Sequence, residues 1–477
     1  MDRDARQDGI EPRQDSRRER PLEIPAAELA SLVEAAAQLT AGYWSGLDER
    51  PAYPPTSGGE TARLFTRPWA EDGRGAAVLE DFAAIAAHSR PSGGRFFGYV
   101  FGSGEPVGAL GDLLASALNQ NVGAWRSAPA AVAVERAVIG WLGEAVGCPG
   151  FTGSLCGGGS SANLMALAMA REARLPANED GVRPGVVYAS EQVHMSIPKA
   201  VALIGLGRRN LRLIPVDADM RLRIDALEAA IAEDRAAGRT PLAVVATAGT
   251  VATGAIDPLR PIAAIARRED MWMHVDGAFG VLASLAAPAL FDGLSEADSL
   301  SLDAHKWLYQ PVDCGCLLHR HRDVAQTAFS HSGDYVRALN TDPEEAFAFF
   351  EESLELSRRF RALKLWLSLQ YHGRAAFRAA IARDLAHARL LEAEIAARPE
   401  LELLSAGPLS AVCFRHREKD NEALLRRLLA RRRVFLSNAT LDGRFALRAC
   451  FVNHRTTEED VRLIVEEVIA AAGEVNR

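Results

Sequence analysis

Met271-Trp272-Met273-His274-Val275-Asp276-Gly277-Ala278 and Ser299-Leu300-Ser301-Leu302-Asp303-Ala304-His305-Lys306-Trp307 decide the reading of this chain. Each is a short run, rich in apolar residues, that ends on charged side chains. About thirty residues separate Asp276 from Lys306, the length of one strand–helix–strand repeat. Outward from this pair, strand-like runs lie at 185–188, 211–216, 242–247, 271–275, 299–302 and 314–318. Helical patterns fill 160–174, 224–237 and 258–268. Strands alternating with helices of this length predict a mostly parallel sheet in an α/β domain.

Polar groups stand where these strands end: His194, Thr250, Asp276, His305 and Lys306. Open α/β sheets bind ligands at that edge, so these residues suggest one site. Lys306 follows a buried strand beside a histidine and an aromatic. Lysine is rarely buried unless paired, and a desolvated lysine can form a Schiff base with an aldehyde. The plain alternative is a surface lysine with its stem packed down. Asp276, at the tip of an apolar strand, could keep the ring nitrogen of a pyridine cofactor protonated. It could equally cap a helix.

Cys156-Gly157-Gly158-Gly159-Ser160-Ser161-Ala162-Asn163 opens a helical run, and Gly-rich turns at helix N-termini cradle phosphate. The same stretch matches a dinucleotide fingerprint through Gly157, Gly159 and Ala162, although 151–155 reads as a poor strand. A structural turn is the plain alternative. His194 alone reads as a satisfied histidine. Tyr335 lies in the polar loop Ser330-His331-Ser332-Gly333-Asp334-Tyr335, where most tyrosines only pack.

The 477 residues are 48% hydrophobic and 24% charged, which excludes a disordered or fibrous chain. A net charge of -8 with no basic block argues against nucleic-acid binding and against an anionic membrane surface. The six cysteines are too sparse for a disulfide framework and lack zinc-ribbon spacing, so no metal site is expected. No apolar run reaches the roughly 18 residues that span a bilayer. Residues 1–20 mix Arg with acids and read as a disordered tail on a cytoplasmic protein. A first amphipathic helix is predicted at 25–43, an extended connection through Pro51, Pro54, Pro55, Gly58 and Gly59, and helix over 107–146 broken near Pro129. From about 352 the chain turns helical and basic to Arg398. Strand-like runs at 409–414, 434–436 and 446–451 and a last helix at 458–472 then predict a smaller α+β domain.

Taken together and in order, these motifs resemble the group II pyridoxal-phosphate-dependent amino-acid decarboxylases. Phe96-Phe97-Gly98-Tyr99, the Gly-rich turn, Ser190 to His194, Ala246-Thr247-Ala248-Gly249-Thr250, His274 to Ala278, Asp303 to Trp307 and the run from Ser357 to Trp366 carry the likeness. It implies fold type I: a large domain with a mixed, mostly parallel seven-stranded sheet flanked by helices, a small C-terminal α+β domain, and an N-terminal helical segment. The boundaries expected are 21–100 for that segment, 101–355 for the large domain and 356–477 for the small one. The resemblance implies a homodimer with the active site at the subunit interface and the N-terminal segment wrapping the partner.

By the same resemblance, pyridoxal 5'-phosphate is the cofactor and Lys306 holds it as a Schiff base. Asp276 pairs with its ring nitrogen, His194 stacks on one face and Ala278 lies against the other. Gly159 and Ser160 bind the phosphate, with His305 and Asp303, and Thr250 lies beside the ring. Tyr335 protonates the α-carbon after CO2 leaves. The implied reaction is decarboxylation of an L-amino acid, an aromatic one somewhat preferred. The chain departs from the animal aromatic pattern at Asp303-Ala304, Val251, Gly102, Gln120, Asn121 and Gly123, which predicts a wider, more polar pocket. Arg126 and Arg448 are candidates to hold an acidic side chain. The rivals are an aldehyde synthase on the same scaffold, a NAD-dependent oxidoreductase needing Glu179 or Asp180 for the ribose, and a non-catalytic binding protein.

Overall fold

The structure is a computed structural model that describes residues 22–54, 56–331 and 342–475. Two compact units divide the chain: one of residues 1–50 and 54–91, the other of 51–53 and 92–477. The 1–20 tail and Tyr335 lie outside the described residues.

In the first unit, helix Ala26–Ser45 buries none of its residues. The predicted extended connection contains a further helix, Gly58–Phe65, whose first turn is capped by the Ser57 side chain. That cap satisfies one of the amides a helix start leaves unpaired, so glycine at the first two positions is tolerated. Arg67 and Arg74 converge on Asp81 at the start of helix Asp81–Ala87.

In the second unit the large sheet has seven strands: β1 (Thr152–Cys156), β2 (Val186–Ser190), β3 (Leu211–Ile214), β4 (Pro241–Thr247), β5 (Trp272–Asp276), β6 (Ser299–Asp303) and β7 (Gly315–His319). Their order is β1-β7-β6-β5-β4-β2-β3. The pairs β3/β2, β2/β4, β4/β5 and β5/β6 are parallel, and β7 runs antiparallel between β6 and β1. Every residue of β4 is buried, which fits its continuous apolar run: a central strand covered on both faces has no solvent side to be polar. Alternate residues go to opposite faces. Val244, Met273 and Leu300 join one core; Val245, Trp272 and Leu317 join another.

The strand at 152–156 corrects the sequence reading. Only Leu155 is a large aliphatic side chain there, so its pattern is weak. Pairing with β7 makes the strand, and Gly153 permits it: a Cβ on Gly153 would stand 1.8 Å from the Leu317 carbonyl oxygen. Because β1 and β6 both oppose β7, Cys156 and Asp303 each pair with Gly315. The Gly-rich turn therefore leaves the sheet at the same edge as Asp303.

The smaller sheet, order β10-β11-β9-β8, is antiparallel: β8 (Leu401–Ala406), β9 (Ala411–His416), β10 (Ser437–Leu441) and β11 (Arg444–Cys450). The run 434–436 is buried but precedes its strand. Helices Asn421–Arg431 and Glu458–Glu474 bring Leu424, Leu428, Ile464 and Val468 into one core with Phe414 and Leu447. Helix Ala362–Ala396 starts later than predicted and turns at Gly373, whose φ of 75° suits only a residue without a Cβ. It packs on helices Pro106–Leu118, Pro129–Ala145 and Glu458–Glu474. All six cysteines are free and buried. Among the described residues no helix is long and apolar enough to cross a membrane.

Candidate active site

A cavity of about 270 Å³ opens at the carboxyl edge of β2, β4, β5 and β6. Asp276 enters it from the end of β5, Thr247 from β4, and Asp303, His305 and Lys306 from β6 and the short turn after it. Gly157–Ser160 come from the turn after β1 and His194 from the segment after β2. Strand order thus gathers residues more than a hundred positions apart. Of the sequence-predicted set, Lys306, Asp276, His194, Ala278, Gly159, Ser160, Asp303 and His305 all line this cavity.

Thr250 does not. Its hydroxyl is buried against Thr253 Oγ1 at 2.8 Å and accepts from the Ala255 amide, so it closes the turn instead. Thr247 takes its place on the wall. Thr247 pairs in register with Asp276, and its hydroxyl is buried with no hydrogen-bond partner among the described residues. Position at a strand end was the available signal for Thr247; which threonine faced inward depended on the turn.

Asp276 is buried and held by three donors. Oδ2 accepts from Asn163 Nδ2 at 2.9 Å; Oδ1 accepts from Ser301 Oγ at 3.1 Å and the Ala278 amide at 3.3 Å. Lys306 Nζ lies 2.9 Å from Asp303 Oδ2, whereas Asp303 Oδ1 is buried with no partner among the described residues. His305 Nδ1 accepts from the Cys314 amide, so a neutral ring carries its proton on Nε2. Burial, ahead of the opposing pull of Asp303, lowers the pKa of His305. Burial likewise lowers that of His194, against the pull of Asp276 and with the push of Lys306. In both, burial favours the neutral ring.

The Gly-rich turn is built for close approach. Gly158 has φ 133°, and a Cβ on Gly159 would meet the Ala278 Cβ at 2.6 Å. The first amides of helix Gly159–Arg174 have no intrahelical acceptor and face an anion well. Two buried polar atoms without partners, Thr247 Oγ1 and Asp303 Oδ1, mark a wall completed by a polar ligand.

The wider pocket expected from Gly102 and Gly123 is not what those glycines do. A Cβ on Gly102 would stand 2.2 Å from the His305 carbonyl oxygen, and one on Gly123 would stand 2.6 Å from that of Leu356. Both spaces are filled by backbone. Asn121 Oδ1 accepts from the Arg358 amide. Arg448 is buried. It donates to the carbonyls of Ala252 and Tyr99 and to Ser437 Oγ, and its Nη2 has no partner. Arg126 is exposed. Glu179 and Asp180 sit in an exposed turn and do not line the cavity, so the dinucleotide reading loses its ribose acid although its strand exists.

Neutral histidines, a buried carboxylate and a lysine at the switch edge of a mixed seven-stranded sheet define a fold type I pyridoxal-phosphate enzyme. Residues 77–417 match the pyridoxal-dependent decarboxylase conserved domain, and the chain belongs to that family. It is 36% identical to an aromatic-L-amino-acid decarboxylase of Bacillus atrophaeus, over 80% of this chain and 82% of that one. It is 32% identical to a phenylacetaldehyde synthase of Petunia hybrida, over 74% and 76%. The solved structure of Oryza sativa TDC with PLP and tryptamine superposes with a TM-score of 0.89 at 27% identity, covering 96% of this chain and all of that one. The protein is a pyridoxal-phosphate-dependent amino-acid decarboxylase.

Proposed function

We propose that this enzyme converts an L-amino acid, an aromatic one somewhat preferred, to its amine and CO2, with Lys306 as the cofactor anchor. The observation that carries this reading is the convergence of Lys306, Asp276 and His194 on one cavity with two unpartnered polar atoms in its wall. Pyridoxal phosphate, when bound, supplies a carbonyl that condenses with amines and a ring that stores the electron pair left at the α-carbon. Asp276, already an acceptor on both oxygens, holds a proton on the ring nitrogen that faces it. His194 and Ala278, which both line the cavity, would flank the ring. Ser160, the amides at Gly159 and Ser160, and His305 Nε2–H hold the phosphate. Thr247 offers a hydroxyl from the strand beside Asp276. Tyr335 delivers a proton to the α-carbon; that role rests on the family resemblance.

The proposed assembly is a homodimer completing each site with residues of both copies. The apolar surface supports it: Leu110, Leu113, Leu114 and Leu118 form an exposed stripe on helix Pro106–Leu118, and Leu29 and Val33 are about half exposed on helix Ala26–Ser45. The aromatic preference is supported by the Bacillus relative. The Petunia relative motivates one rival, an aldehyde synthase on this scaffold.

The deciding experiment is mass spectrometry of products after incubating the holoenzyme with the twenty amino acids. An amine lighter than one input by CO2 establishes decarboxylation and names the substrate. An aldehyde with ammonia moves the assignment to the synthase, and no product from any of them defeats the reading as stated.

A further inference from the structure

Behind the cavity wall runs a chain of buried hydrogen bonds that no part of the reaction yet uses. It begins at Trp272 Nε1, which donates to Ser299 Oγ at 2.9 Å. Ser299 Oγ lies 2.9 Å from His274 Nδ1, and His274 Nε2 lies 2.9 Å from Asn163 Oδ1. Asn163 Nδ2 donates to Asp276 Oδ2 and to Ser196 Oγ, both at 2.9 Å. Ser196 Oγ lies 2.8 Å from His194 Nδ1. Trp272, His274, Asn163, Ser299 and Ser196 are buried, so water does not compete for these bonds.

The direction of every link is decided by its ends. Indole can only donate, so Ser299 Oγ accepts there, and the His274 tautomer decides whether Ser299 gives its own proton to Nδ1. Asn163 gives its NH2 to Asp276, so its Oδ1 accepts from His274 Nε2; burial keeps His274 neutral, which leaves Nδ1 bare to accept from Ser299 Oγ. The other end of the amide sets this, because a carboxylate can only accept and Asp276 must face the NH2. The second amide proton goes to Ser196 Oγ, which then donates to His194 Nδ1. The Ser196 backbone amide reaches the same nitrogen at 3.2 Å. A ring nitrogen that accepts a backbone N–H cannot carry a proton of its own.

We propose that Asn163 and Ser196 are positioning residues that tie the two sides of the site together: one amide fixes Asp276 as an acceptor and, through Ser196, fixes His194 as the neutral tautomer with its proton on Nε2. This rests on the reading that His194 and Asp276 serve the cofactor. It adds that they are set by a single donor chain rooted in Trp272. The charged groups that also act on His194 are Asp276, Asp303, Lys306 and Lys199. None of them donates to Nδ1, so the serine hydroxyl is the side chain that selects the tautomer.

The test uses the holoenzyme. In Ser196→Ala the donor to Nδ1 is weakened, neutral His194 loses support, and the acid limb of kcat/KM moves up by about 0.5–1 pH unit. Cofactor affinity stays within about twofold, since Asn163 still holds Asp276. Ser196→Thr, which keeps the hydroxyl, restores the limb. Asn163→Ala moves the limb and also weakens pyridoxal-phosphate binding about tenfold. Nitrogen-15 spectra of histidine-labelled parent enzyme, with His194 assigned by His194→Gln, show Nδ1 bare and Nε2 protonated. A protonated Nδ1 overturns the proposal, as does a Ser196→Ala limb within about 0.2 unit of the parent in a folded protein. Failure of the underlying reading looks different: His194→Gln would then leave turnover unchanged.

Discussion

Two carboxylates face the same cavity from the ends of neighbouring strands, and they are held in opposite ways. Asp276 accepts from an amide side chain, a hydroxyl and a backbone N–H, all neutral donors built into the fold. Asp303 puts one oxygen against the Lys306 cation, with His305 Nε2 3.5 Å from the same atom, and its second oxygen has no partner among the described residues. The first arrangement depends on no charged group, since its donors are an amide, a hydroxyl and a backbone N–H. The second depends on Lys306, the proposed anchor, whose amine would be drawn into a Schiff base with the cofactor. The contrast separates a carboxylate held by neutral donors of the fold from one paired with a lysine in the same cavity.

The largest test of that contrast is Lys306→Ala. It removes the proposed anchor and the cation of Asp303 together, so only a trace of turnover and no visible absorbance of bound cofactor are expected. A protein that stays yellow would place the anchor elsewhere. Next comes Asp276→Asn, which keeps the shape and loses the charge. Turnover at saturating cofactor should fall by about 10²–10³-fold, the usual cost of losing one preorganised electrostatic group, while occupancy changes far less. Equal losses would make Asp276 only a binding residue.

Asp303→Asn should cost less, under about tenfold in kcat/KM, because an amide still offers an acceptor to its neighbours. If it matched Asp276→Asn, the two carboxylates would not differ in kind. The smallest effect is on stability. Burial holds His274, behind Asp276, at a pKa of about 4, below the ordinary 6.5. As pH falls the unfolded chain takes up this proton first. The contribution is complete above pH 6.5 and is lost as pH falls through the folded value. His319 and His454, also near 4, titrate in the same direction. The thermal midpoint should therefore drop between pH 6.5 and 4, and His274→Asn should make that drop shallower without abolishing it. An unchanged slope would mean His274 is already charged in the fold.

The amino-acid sequence by itself determined the alternation of strand and helix, the ends of β4, β5 and β6, and the placement of Asp276 and Lys306 one repeat apart. Those features are local: side-chain period and the polar residue that stops a strand are written in a few consecutive positions. The Gly-rich turn and His194 were legible as parts of an ordered set of motifs. Tertiary structure decided the rest. Thr152–Cys156 became a strand only because β7 lies beside it, and Gly102 and Gly123 are glycines because backbone carbonyls fill the space of a Cβ. Thr247 and not Thr250 faces the cavity because of how one turn closes. Asn163, Ser196 and His274 come together across three elements, with 111 positions between His274 and Asn163. No local pattern records such a meeting, because a hydrogen bond depends on register and rotamer, which the packed sheet alone sets.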